Sequence, residues 1–125
     1  MIHSTSSLEE RADRISNAIV SIQKAIEGLQ AEGEVAPPGC SLVRYQARGQ
    51  NKRYWYDKLQ ATEPIFPTKS GNLTRYKHLG VSGSEAHIEA LMQINRRNQL
   101  DSLSRTLDSL MHCWSDLYEN SKSSH

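Results

Sequence analysis

The sequence predicts an α+β fold: a long N-terminal helix, a three-stranded antiparallel meander and a long C-terminal helix. Three observations carry the prediction. Apolar residues recur at alternating spacings of four and three near the N-terminus. Between Gly39 and Gly80 the period changes to short runs rich in Tyr, Val, Thr and Trp, bounded by turn residues. The three-and-four repeat then returns near the C-terminus.

The first helix is expected over residues 7–31. Leu8, Ala12, Ile15, Ile19, Ile22, Ile26 and Leu29 form an unbroken heptad seam, the pattern of a helix that pairs lengthwise with another helix. Ser7 and Glu10 read as a capping box, and Gly33 with Pro37-Pro38 ends the helix. The mate is either the second helix of the same chain or a helix of another chain, giving a coiled-coil-like homodimer.

The sheet is expected over residues 40–80, with strands Ser41–Arg48, Lys52–Leu59 and Leu73–Leu79. Gly49-Gln50-Asn51 reads as a tight hairpin connection. Residues 60–72, with Pro64, Pro67 and Ser70-Gly71, are long for a hairpin and read as an exposed loop or wing. The second helix is expected over residues 83–119, opened by a capping box at Ser82 and Glu85 and followed by a frayed polar tail, 120–125. Leu100, Leu103, Leu107, Leu110, Trp114 and Leu117 make its heptad stripe. Ile88, Leu91 and Ile94 lie in a different register, so the helix bends near Asn95–Asn98 or turns a different face to a different neighbour. At 125 residues the chain fits one small domain, 1–125.

Composition narrows the function. The net charge is +1, but it is segregated: residues 40–80 hold eight Lys or Arg against two acids, and the remainder holds seven against twelve. Such asymmetry speaks to partners more than the sum does. Mean hydropathy is −0.64 and no run approaches a membrane span, so no membrane partner is expected. The N-terminus lacks the layout of a signal peptide, and Cys40 and Cys113 have no CxxC partner, which suggests free thiols in a cytoplasmic protein.

Strand alternation sorts the middle segment into two sets. Val43, Tyr45, Ala47, Tyr54, Tyr56 and Tyr76 form one, expected to pack inward on a helix. Arg44, Arg48, Arg53, Arg75 and Lys77 form the other, expected to face outward around Trp55. Leu42, Leu59, Leu73 and Leu79 fall on the arginine set, against that orientation. An exposed Arg- and Trp-bearing sheet is a plausible reader of duplex DNA, because arginine forks fit phosphates and guanine edges.

The spacing of GCSLVRY, KRYWYDKL and RYKHLG, followed by GSEAHIEAL and INRRNQL, resembles a class of small uncharacterised bacterial helix/three-strand/helix proteins. The meander is also similar to the sheets of AP2-type and integrase arm-type DNA-binding domains, whose exposed basic and aromatic residues enter the major groove. By position the resemblance implies Arg44, Arg53, Trp55, Arg75 and Lys77 as readers. The long flanking helices depart from that pattern.

No glycine-rich phosphate loop or nucleophile elbow is present, and the histidines are scattered. No catalytic residue, metal site or cofactor is expected. His112-Cys113 lacks a second ligand pair, His78 and His87 suit capping or packing, Glu85 and Glu89 suit the helix dipole, and Arg96-Arg97 suits a salt-bridged turn. The expected protein is a non-enzymatic duplex-DNA binder, a transcriptional regulator or a plasmid or mobile-element factor. It self-associates through Ile15, Ile19, Ile22, Ile26, Leu103, Leu107, Leu110 and Trp114. The alternative is a protein-interaction adaptor whose basic sheet meets an acidic protein partner.

Overall fold

A computed structural model describes residues 7–49 and 52–123. The elements are α1 (Leu8–Glu32), β1 (Ser41–Arg48), β2 (Arg53–Gln60), β3 (Phe66–Pro67), β4 (Leu73–Thr74), β5 (Tyr76–Val81) and α2 (Glu85–Ser123). The order helix, antiparallel sheet, helix is the one the sequence predicts. No helix among the described residues is long and apolar enough to cross a membrane. α2 continues to Ser123, past the end expected at 119.

The chain divides into two compact units, one spanning Gly33–Asn98 and one made from residues 1–32 and 99–125. The charge follows the same division. The sheet unit carries ten basic and five acidic residues, and the helical unit five and nine, formal charges of +5 and −4.

In the sheet unit β1, β2 and β5 form an antiparallel meander in that order. Within the stretch expected as an exposed loop or wing, β3 pairs with β4 of the expected third strand to form a second, two-stranded sheet. The third expected strand is accordingly broken at Arg75, with β4 on one side and β5 on the other. Cys40, Leu59, Ala61, Leu79 and Ala90 make the buried core, with Leu42, Phe66 and Ile94 packed against it.

This core reverses the expected orientation of the sheet. Register places Leu42 opposite Leu59, Arg44 opposite Asp57, Gln46 opposite Trp55 and Arg48 opposite Arg53. These residues share one face, and it is the face that meets α2 at Ala90. The tyrosines point the other way. Tyr45 stacks on Tyr56 at 5.8 Å, its hydroxyl lies 3.2 Å from His78 Nδ1, and Lys58 Nζ sits 5.2 Å and 4.6 Å from the centroids of Tyr45 and Tyr76. The physical reason is burial. A phenol buried under a helix needs a partner for its hydroxyl, whereas Leu42, Leu59 and Leu79 bring only apolar surface. A β-bulge completes the arrangement: β2 pairs Asp57 with Gly80 and Lys58 with His78, so Leu79 is the extra residue and enters the core. Gly80 takes the turn of that bulge at φ 88°, where a Cβ would be strained.

Two arginines of α2 hold the segment leading into β1. Arg96 is buried, donates from Nε to the Glu34 carbonyl at 3.0 Å and lies 3.7 Å from Glu89. Arg97 donates to the carbonyls of Pro37 and Cys40. The helix start is capped by Ser84, not Ser82: the Ser84 hydroxyl accepts from His87 N–H at 3.2 Å and donates to the Leu79 carbonyl at 2.9 Å.

In the helical unit Ser7 caps α1, accepting from Glu10 N–H and donating to the Glu10 carboxylate. The beginning of α1 and the end of α2 line one cleft, at Leu8, Ala12, Trp114, Leu117 and Tyr118. Ala25, Leu29, Gln99, Ser102 and Leu103 line another. The two helices of one chain therefore lie antiparallel. The register change of α2 falls where its residues pass from one unit to the other, between Asn98 and Gln99; of the upstream residues Ile94 packs against the sheet core, whereas Ile88 and Leu91 are exposed.

Candidate nucleic-acid interface

The β1–β2 hairpin outruns its third strand. β5 pairs with β2 only as far as Val81 opposite Tyr56, and Ser82 N–H then bonds the Trp55 carbonyl at 2.9 Å as the chain turns into α2. Gln46–Arg48 and Arg53–Trp55 continue beyond it as a two-stranded ribbon. Gly49 N–H bonds the Lys52 carbonyl at 2.7 Å beneath the turn. The rest of the expected connection, Gln50-Asn51, lies outside the described residues.

The ribbon brings together four of the six residues expected to touch nucleic acid. Arg44, Arg48, Arg53 and Trp55 lie on one face and all are exposed; the last three lie beyond the row of Asp57, where α2 begins, and Arg44 stands in that row at the base of the ribbon. Arg44 Cζ stands 4.1 Å from the centroid of the Trp55 ring, which is 43% exposed. Lys52, omitted from the expected reader set, is exposed at the start of β2 beside Arg53; its sequence adjacency was the available signal. Arg75 and Lys77 are exposed but lie elsewhere. Lys77 pairs with Leu59 near the opposite end of the sheet, about 20 Å along the strand from Arg53. Arg75 occupies the break between β4 and β5, where its carbonyl accepts from Ala61 N–H.

The electrostatics of the ribbon are one-sided. Arg48 and Arg53 stand directly opposite each other, a like-charge pair that is unfavourable in a ladder. Among the described residues no carboxylate lies within ion-pair distance of Arg44, Arg48, Arg53 or Lys52. Asp57 faces Arg44 in register but is committed elsewhere. It is 1% exposed, accepts a hydrogen bond from the Ser82 hydroxyl, and has His87 Nε2 3.6 Å from its other oxygen. His87 Nδ1 accepts from Gly83 N–H at 2.8 Å. The Asp57–Ser82–His87 group thus ties the base of the ribbon to the first turn of α2.

Arg96 and Arg97 of α2 are not part of this surface, since they are spent on backbone carbonyls. Among the described residues no cluster of three or more His, Cys, Asp or Glu side chains is arranged to hold a metal ion. The seam residues Ile15, Ile19, Ile22, Ile26, Leu103, Leu107 and Leu110 are half-buried in the helical unit, and Trp114 is exposed. Comparison of the chain with protein-family models, curated proteins and solved structures finds no match.

Proposed function

We propose that the protein binds duplex DNA through the basic ribbon of β1 and β2. The observation that carries this reading is the unpaired Arg48–Arg53 cross-strand couple, with Arg44 on Trp55 beside it. Like charges placed face to face on a protruding ribbon are relieved by an anion bound between them. A B-form major groove is about 12 Å wide and admits a two-stranded ribbon. Guanidinium forks there meet phosphates or guanine edges, and the indole of Trp55 packs on sugar or a thymine methyl. A transcriptional regulator or a factor of plasmid or mobile-element upkeep needs such a surface. Self-association through the helical unit would present two ribbons at fixed geometry, and two weak binding sites so joined gain avidity.

The test is binding of a labelled duplex by fluorescence anisotropy across a salt series. Affinity should fall steeply with salt, and replacing Arg48 and Arg53 together by Ala should flatten the log–log slope by about 0.9 for each phosphate that is no longer neutralised. Arg75→Ala with Lys77→Ala should change the slope little. Absence of duplex binding at low salt, together with capture of an acidic protein by the same arginines, would move the ribbon to an adaptor role.

A further inference from the structure

We infer that the helical unit is half of a four-helix bundle, completed by the same unit of a second copy of the chain. This deepens the self-association reading above and rests on it; it does not rest on DNA binding.

The width of the apolar stripes comes first. Two helices paired only with each other need two apolar positions in seven, whereas a helix facing a bundle core uses three. α1 adds Ala18 and Ala25 beside its seam, and α2 adds Met111 and Tyr118 beside Leu107, Leu110, Trp114 and Leu117. Both stripes therefore have bundle width along much of their length.

Burial gives the same answer. α1 has no buried residue in 25. Leu100, Leu103, Leu107, Leu110 and Leu117 of α2 are only half-buried, Trp114 is 43% exposed and Met111 is 51% exposed. A cleft of about 160 Å³ opens between Leu8, Ala12, Trp114 and Leu117.

A second copy suits this surface because an antiparallel helix pair meets its own image across a twofold axis with stripes of equal length and width. A nucleic acid does not suit it, since the unit carries a formal charge of −4. That charge also sets the salt dependence. Association of two acidic units by apolar burial strengthens as salt screens their repulsion, opposite in sign to duplex binding by the ribbon.

Sedimentation equilibrium of the full chain at micromolar concentration tests the inference. The wild type should show twice the 14.1 kDa of one chain, and the dimer should persist or tighten in high salt. Met111→Lys, at an exposed stripe position, should weaken association at least about tenfold. Val20→Lys, exposed and outside the stripe of α1, should not. Circular dichroism checks that helix content is kept, and Met111→Gln replaces the lysine variant if it is not. A monomeric wild type, or equal effects of Met111→Lys and Val20→Lys, would overturn the bundle. A monomer that still binds duplex leaves the DNA reading standing; a dimer without duplex affinity does the reverse.

Discussion

Asp57 is the residue on which the geometry of the ribbon turns. A carboxylate 1% exposed at the middle of β2 is tolerable because the Ser82 hydroxyl and the His87 ring face it. Asp57→Ala strands both partners and should cost about 1–3 kcal/mol for the unsatisfied groups, read as a lower urea midpoint. Asp57→Asn keeps an oxygen for Ser82 and should cost less. Cys40 allows a second prediction. It is 2% exposed, and burial pushes its thiol above the ordinary 9.0, against the opposing pull of Arg97, Lys77 and the Ser41 N–H. In the folded chain it should therefore resist a thiol reagent that labels exposed Cys113, and react only in denaturant. The sign of the linkage follows: above pH 9.0 the unfolded thiol releases its proton while the folded one keeps it, so stability falls as pH rises. Cys40→Ala should remove that part of the alkaline decline in a pH series of melts. Neither role was legible in the sequence. Asp57 reads as one acid in a basic strand, and its partners stand 25 and 30 residues further along.

At the scale of elements, sequence period was a good guide and orientation was not. Heptad spacing gave both helices and alternation gave the two sets of strand side chains, because backbone geometry alone fixes those periods. Which set faces α2 was decided by Leu42, Leu59 and Leu79, already visible on the arginine side and outweighing four tyrosines. The Leu79 bulge and the β3–β4 pair could not be read, since both depend on partners chosen in three dimensions. The position of Arg44, Arg48 and Arg53 on one face was legible; the emergence of Arg48 and Arg53 beyond the third strand required the end of β5 to be known. The segment leading into β1 depends on α2 through its two arginines. Arg97→Met leaves the Pro37 and Cys40 carbonyls without that donor and should destabilise the protein by about 1–3 kcal/mol. Gly33→Ala would set a Cβ 3.0 Å from the Arg96 guanidinium and should loosen the same segment, seen as faster amide exchange at Ala36, whose N–H bonds the Gln93 carbonyl.

Across the whole molecule, one weakly charged chain is built from a +5 sheet unit and a −4 helical unit. The proposals for the two units oppose each other in salt, so a titration should lower duplex affinity while leaving the mass at that of a dimer. That division was half legible: counting charge by segment exposed the basic middle, but its limits, Gly33 after the end of α1 and Asn98 within α2, depend on the fold. The two tryptophans fall one to each unit, Trp55 beneath the Arg44 guanidinium and Trp114 at the cleft between the helices. The protein therefore carries a built-in pair of optical probes. With Trp114→Phe, quenching of the remaining indole emission follows ligand arrival at the ribbon; with Trp55→Phe, a blue shift on concentrating the sample follows the drying of the cleft. Occupancy and assembly can thus be watched separately, without attaching a dye.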